Sequence, residues 1–162
     1  MNKRLYYKGL NDNLCGKNNF QYAIGEIFTA GTDDPWHWLY FTKKVTRAIP
    51  YGKRIVEVMP ITAVRCFGGR DDRNARTIRI VRELFREEIL EKLIQEKCPF
   101  YKMVYIEPTY EELLRYRDYI KPCDHYSICC EFDWLTEDQK MEFLPKWWES
   151  RVHGRFCALN WR

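Results

Sequence analysis

The chain's densest reactive side chains lie towards its C-terminal end. The stretches "CDHYSICC" and "HGRFC" supply Cys123, His125, Cys129, Cys130, His153 and Cys157. Thiolate and imidazole donors of this kind suit tetrahedral zinc. The spacing contains no CxxC pair, however, and a segment of helical character separates the two halves. Free, mostly buried thiols are therefore the expectation, and a metal held by Cys123, His125, His153 and Cys157 is the alternative. Seven cysteines is an odd count, which argues against a complete disulfide framework. No motif of a cysteine nucleophile surrounds any of them. The pair Gly68 and Gly69 lacks the spacing of a P-loop or dinucleotide fingerprint, so a hairpin loop is expected there.

A second group of side chains is aromatic. Read as a strand, "WHWLYFT" puts Trp36, Trp38 and Tyr40 on one face and His37, Leu39 and Phe41 on the other. Both faces are apolar, which implies an interior strand with His37 as a partly buried, satisfied polar group. In "KWWESR", Trp147 and Trp148 stand about 100° apart on a helix, so one can enter a core while the other is left for a partner.

The elements that must position these groups divide along the chain. "RLYYKGL", "FQYAIGEIFTAG" around Gly25, "WHWLYFT", "KRIVEVMP", "ITAVRCF" and "TIRIVREL" read as strands or extended ribbon. On "KRIVEVMP", Ile55 and Val58 are placed near one face and Val56 on the other. "KKVTRAIPYG" predicts a short helix stopped by Pro50, with Thr42 as a cap, and "GGRDDRNAR" predicts a polar loop. "FREEILEKLIQEK" is helical, with Leu84, Ile89, Leu93 and Ile94 on one face. "PFYKMVYIEP" reads as a strand or extended connector. Thr109 with Glu112, and Thr136 ahead of Gln139, mark the capped starts of two more helices, the second ended or bent by Pro145. The predicted architecture is one α+β domain over 1–162. A mixed or antiparallel sheet from a strand-rich part, 1–85, is packed with helices from a helix-rich part, 86–162.

In the N-terminal half, the run "LYYKGL", "FQYAIGEIF", "WLYFTKKVTRAIPYG", "RIVEVMP" and "ARTIRIVREL" resembles a family of small domains from large DNA viruses, bacteriophages and some bacteria. Members of that family are sometimes joined to pentapeptide repeats. The resemblance covers residues 5 to about 85. The same order of elements is distantly similar to the ADP-ribosyltransferase fold, whose enzymes use NAD. That similarity implies Lys8 at the position where those enzymes carry Arg or His, Tyr40 as the ring that stacks on nicotinamide, and Glu107 as the late acid. A carboxylate there would orient a ribose hydroxyl and stabilise an oxocarbenium-like centre.

Composition limits the remaining classes. With 27 basic and 23 acidic residues the net charge is +4, which does not call for nucleic acid. The stretch Arg65 to Arg86 holds seven arginines against three acidic residues, and a solvated strand edge explains it as well as a phosphate site does. No apolar run approaches the roughly 20 residues that span a bilayer, and "MNKRLYYKGL" lacks the apolar run of a signal peptide. A cytoplasmic or virion-associated protein without a membrane segment is expected. Its expected function is a non-catalytic protein-binding or structural module of a virus or phage, without a cofactor, whose partner is a viral or host protein met through Trp147 and Trp148. The alternative is an NAD-dependent ADP-ribosyltransferase-like enzyme acting on a host protein or nucleic acid through Lys8, Tyr40 and Glu107.

Overall fold

A computed structural model describes residues 4–119, 128 and 131–143. The chain divides into two compact units, Met1–Cys98 and Pro99–Arg162, so the break follows the predicted helix at residues 86–95 rather than preceding it.

In the first unit, β1 (Tyr6–Leu10), β2 (Ile27–Thr29), β3 (Leu39–Thr42), β4 (Arg54–Pro60), β5 (Arg65–Cys66), β6 (Asp72–Ala75) and β7 (Thr77–Glu83) build one seven-stranded sheet. The strand order is β2-β7-β4-β1-β3-β6-β5, and every pairing is antiparallel. Together with the helices that follow, this is the expected α+β class. One face gathers Tyr6, Leu10, Leu39, Phe41, Val56, Val58, Ile78 and Ile80 into a core with Tyr22. On β4 the side chains of Val56 and Val58 thus share that core, where the sequence put them on opposite faces. Strand alternation puts residues two apart on one face, so Val56 and Val58 belong together and Ile55 points the other way.

α1 (Val45–Ala48) packs on β1, β3 and α2 (Arg86–Gln95). Gly9 permits this contact: a Cβ there would stand 2.1 Å from the Ala48 carbonyl oxygen. The predicted face of α2 buries Leu84, Ile89 and Leu93, with Leu90 beside them. Thr42 does not cap α1 directly; its hydroxyl accepts from the Lys44 amide at 3.1 Å. The first amides of α1 go to the Glu96 carboxylate, Val45 N–H at 2.9 Å and Thr46 N–H at 2.8 Å, which places a negative charge at the helix's positive end.

Three segments depart from the pattern read in the sequence. Pro35–His37 is a 3₁₀ turn, its start held by the Asp34 side chain accepting from the Trp36 amide, so the strand begins only at Leu39. Trp36 and His37 are consequently exposed rather than buried in the sheet, while β3 itself is interior, between β1 and β6. The predicted polar loop at residues 68–76 contains β6, because its polar side chains find partners: Asp72 meets Arg47 at 2.9 Å and Asn74 donates to the Pro35 carbonyl at 2.6 Å. Of "ITAVRCF", only Arg65–Cys66 is strand, closing the expected hairpin with β6 across Gly68, whose φ of +74° suits glycine.

The described residues of the second unit form turns and short helices. Phe100–Ile106, predicted as extended, is a 3₁₀ helix that buries Phe100, Met103 and Ile106. The spacing of those three positions follows a helix rather than a strand. α3 (Tyr110–Arg115) and α4 (Glu137–Glu142) both start with the predicted capping boxes. Thr109 accepts from the Glu112 amide and Thr136 from the Gln139 amide, each at 3.2 Å. Phe132 stacks between Phe100 and Trp134, and the Trp134 indole donates to the Pro108 carbonyl at 2.9 Å. No helix among the described residues is long and apolar enough to cross a membrane.

Candidate functional site

β1 and β3 are neighbours in the sheet, yet they pair at one register position, Tyr7 opposite Thr42. By contrast, β1 pairs with β4 along its whole length, from Tyr6 to Leu10. Beside that single pair a cleft of about 380 Å³ opens, with Lys8 and Gly9 of β1 on one side and Leu39, Tyr40 and Thr42 of β3 on the other. Lys8 enters the opening and its Nζ donates to the Tyr40 backbone carbonyl at 2.5 Å. The ammonium also lies 5.1 Å from the centre of the Tyr22 ring and 5.9 Å from that of Tyr40, close enough for cation–π attraction.

Aromatic rings supply most of the remaining wall. Tyr40 touches Tyr51 at 5.3 Å and Phe67 at 5.8 Å between centroids, and Phe67 touches Trp36 at 5.6 Å. Phe20 and Tyr22 close the other side, 4.9 Å apart. The rings come from five segments: β3 with Tyr40, the 3₁₀ turn at Pro35–His37, the 3₁₀ turn at Ile49–Tyr51, the β5–β6 loop, and the loop between β1 and β2, which supplies both Phe20 and Tyr22. Lys17 and His37 also line the cleft, and among the described residues no carboxylate does.

The electrostatics follow from that lining. Lys8 is 8% exposed, has no ion pair among the described residues, and is lowered by burial from the ordinary 10.5 to about 8. Burial first, then hydrogen bonding to Tyr51 and Asp72, pushes the Tyr40 phenol above its usual value; burial does the same to Tyr22. The nearby acids are already bonded, Asp72 to the Tyr40 phenol as well as to Arg47. Asp34 is held below the usual carboxylate range, chiefly by the Trp36 amide and then by His37, whose Nδ1 lies 2.9 Å from it. Asp72 is taken by Arg47. The result is a concave, ring-walled space with positive charge and no acid of its own.

Of the residues singled out in the sequence, Lys8 and Tyr40 come together here. Glu107 belongs to the second unit, where it ends the 3₁₀ helix at a φ of +45° instead of standing on a strand. His37 is an exposed lining residue rather than a buried one. Trp147, Trp148, Cys123, His125, Cys129, Cys130, His153, Cys157 and Pro145 lie outside the described residues. Among those described, Cys15, Cys66 and Cys98 are free thiols, but none is buried: Cys66 is exposed and the other two are intermediate. No group of three or more His, Cys, Asp or Glu side chains that could hold a metal occurs among the described residues.

Lys17, Tyr22, Tyr51 and Phe67 were not legible as site residues. The one local signal was the adjacency of Tyr51 to Gly52, whose Cβ would lie 2.0 Å from the Leu10 carbonyl oxygen and so ties that turn to β1. Comparison with family models, with curated proteins and with solved structures finds no match to the chain.

Proposed function

We propose that the chain is a non-catalytic binding module, of the viral or phage kind its sequence resembles, and that its N-terminal unit receives a protein partner in the cleft between β1 and β3. The observation that carries this reading is Lys8, a buried cation with no carboxylate partner among the described residues, set among rings in a concave site. Burying an unpaired charge works against folding. A site that retains one and surrounds it with Tyr and Trp has the composition of a recognition surface. The module acts in the host cytoplasm or the virion. Affinity capture from the native host tests the reading: the Tyr40→Ala chain is expected to lose a partner that the wild type retains. Equal capture by both chains would overturn the cleft as the partner site. If capture were lost instead on Trp147→Ala or Trp148→Ala, the site would move to those tryptophans.

A second reading is favoured by one observation, the adjacency of Lys8 and Tyr40, the two positions that the similarity to ADP-ribosyltransferases implies. Against it, an oxocarbenium-like centre needs a carboxylate, and none lines the cleft among the described residues. NAD consumption by the purified chain, together with thermal stabilisation by NAD that Tyr40→Ala abolishes, would establish the transferase and displace the first reading.

A further inference from the structure

We infer that Lys8 forms the floor of an anion site, and that the group the cleft takes is a carboxylate carried beside a flat apolar body, as an acidic peptide segment of a protein partner presents it. The inference rests on the cleft being the recognition site and adds the chemistry of what enters it.

Charge complementarity is the first argument. The lining contributes Lys8, Lys17 and His37 and, among the described residues, no acid, while the nearby carboxylates Asp34 and Asp72 are already paired with His37 and Arg47. A second argument comes from donor geometry. Lys8 gives one hydrogen bond to the Tyr40 carbonyl, and an ammonium has three donors. The rings of Tyr22 and Tyr40 meet the cation only through their faces, which leaves donor capacity for an incoming oxygen. The third argument selects the anion. Only one cation is buried at this site, which matches a singly charged carboxylate, whereas phosphate recognition favours several converging donors. Tyr40, Tyr51, Phe67 and Trp36 then offer edges and faces to the apolar body, and a space of about 380 Å³ falls in the range of small-ligand pockets.

The site is also pH-sensitive. Lys8 loses its proton above about pH 8 when nothing is bound. The groups around it are Tyr22, Tyr40, Tyr51, Lys17 and His37, with Asp72 of β6 behind the Tyr40 phenol and Val56 of β4 opposite Lys8 in the sheet. Of these, Tyr22 and Tyr40 are pushed above their ordinary values and stay neutral through this range.

The test uses a matched pair of probes on the full chain, N-acetyltryptophan and N-acetyltryptophanamide, which differ in the carboxylate alone, with AMP as the phosphate arm. Calorimetric titration at pH 7 is expected to show the acid binding at least tenfold more tightly than the amide. That advantage should shrink as pH rises above about 8 and vanish in Lys8→Met. Equal affinity for acid and amide, no measurable binding of the acid, or an advantage unchanged in Lys8→Met would overturn the inference; tighter binding of AMP would assign the floor to phosphate. The matched pair is read on the wild-type chain, so the result does not depend on a variant folding. If acid and amide bind alike and both are lost in Tyr40→Ala, the anion inference falls while the cleft stands. If both survive in Tyr40→Ala, the cleft reading falls with it.

Discussion

Two charged regions of the same sheet are treated in opposite ways. On β4 and β7, Arg82 bridges two carboxylates, Glu57 at 2.9 Å and Glu88 at 2.8 Å, while Arg54 meets Glu83 through both Nε and Nη2. Arg82 is held above its ordinary value, first by Glu88 and then by Glu57. Glu88 is pulled down to about 2, first by Arg82 and then by the Phe85 amide. Arg54, Glu57, Arg82, Glu83 and Glu88 thus all meet opposite charge within the unit. On β1, two strands away from β7, Lys8 is more deeply buried than Arg82 and has no opposite charge among the described residues. Paired charges on a half-exposed face hold strands and helix in register; an unpaired one at the floor of a cleft serves something outside the unit.

The sharpest way to break this comparison is to remove the packing that holds β1 between its two neighbours. In Gly9→Ala the added Cβ meets the Ala48 carbonyl oxygen at 2.1 Å, so β1 and α1 must separate. The expected cost is about 3 kcal/mol, at the upper end for overpacking, read from urea denaturation. An unchanged midpoint would mean that the contact is not maintained in solution.

The paired region should respond next. Arg82→Met leaves the Glu57 carboxylate, only 8% exposed in its side chain, without its partner. Stripping one member from a fully buried pair costs about 3–5 kcal/mol; because Arg82 is itself partly exposed, about 2 kcal/mol is expected here. Restoration of the lost stability by the double variant Arg82→Met, Glu57→Gln would show that the cost lies in the orphaned charge and not in lost side-chain packing.

The unpaired region should respond least at neutral pH. Lys8→Met removes a poorly solvated cation but leaves the Tyr40 carbonyl without its donor. These opposing terms are each about 1–3 kcal/mol, and the net change is expected within about 1 kcal/mol. The pH dependence is the clearer signature. The folded value of Lys8, about 8, lies below the ordinary 10.5, so between these limits the unfolded chain binds the extra proton. Wild-type stability therefore rises with pH across that window relative to Lys8→Met. Tyr22 and Tyr40 act oppositely near and above pH 10, but they do so in both chains, and the difference between the two curves isolates Lys8. A flat difference would show that Lys8 is solvated as an ordinary lysine is.

Part of the site was legible because its cause is local. The stretch "RLYYKGL" read as a strand, and the structure places β1 there. Thr109 and Thr136 announced their helices through side chains that bond amides three residues on. The failures were equally local in origin. In "WHWLYFT" the aromatic alternation signalled a strand, but Asp34 and Pro35 just upstream turned the chain, and Trp36 and His37 went to the cleft rim. In "GGRDDRNAR" the polarity signalled a loop, and only partners distant in sequence, Arg47 and Pro35, made a buried strand tolerable.

Sequence by itself determined β1, β4 and β7, the capped helices and the class of the fold, because periodicity and capping act over a few residues. It also brought forward Lys8 and Tyr40, through resemblance. Tertiary structure alone decided that β1 and β3 part beside a single pair, that Lys8 fills the gap with no acid among the described lining residues, and that rings from five separate segments surround it. Those features depend on which strands become neighbours and where their pairing stops, and neither the spacing nor the identity of nearby residues encodes that.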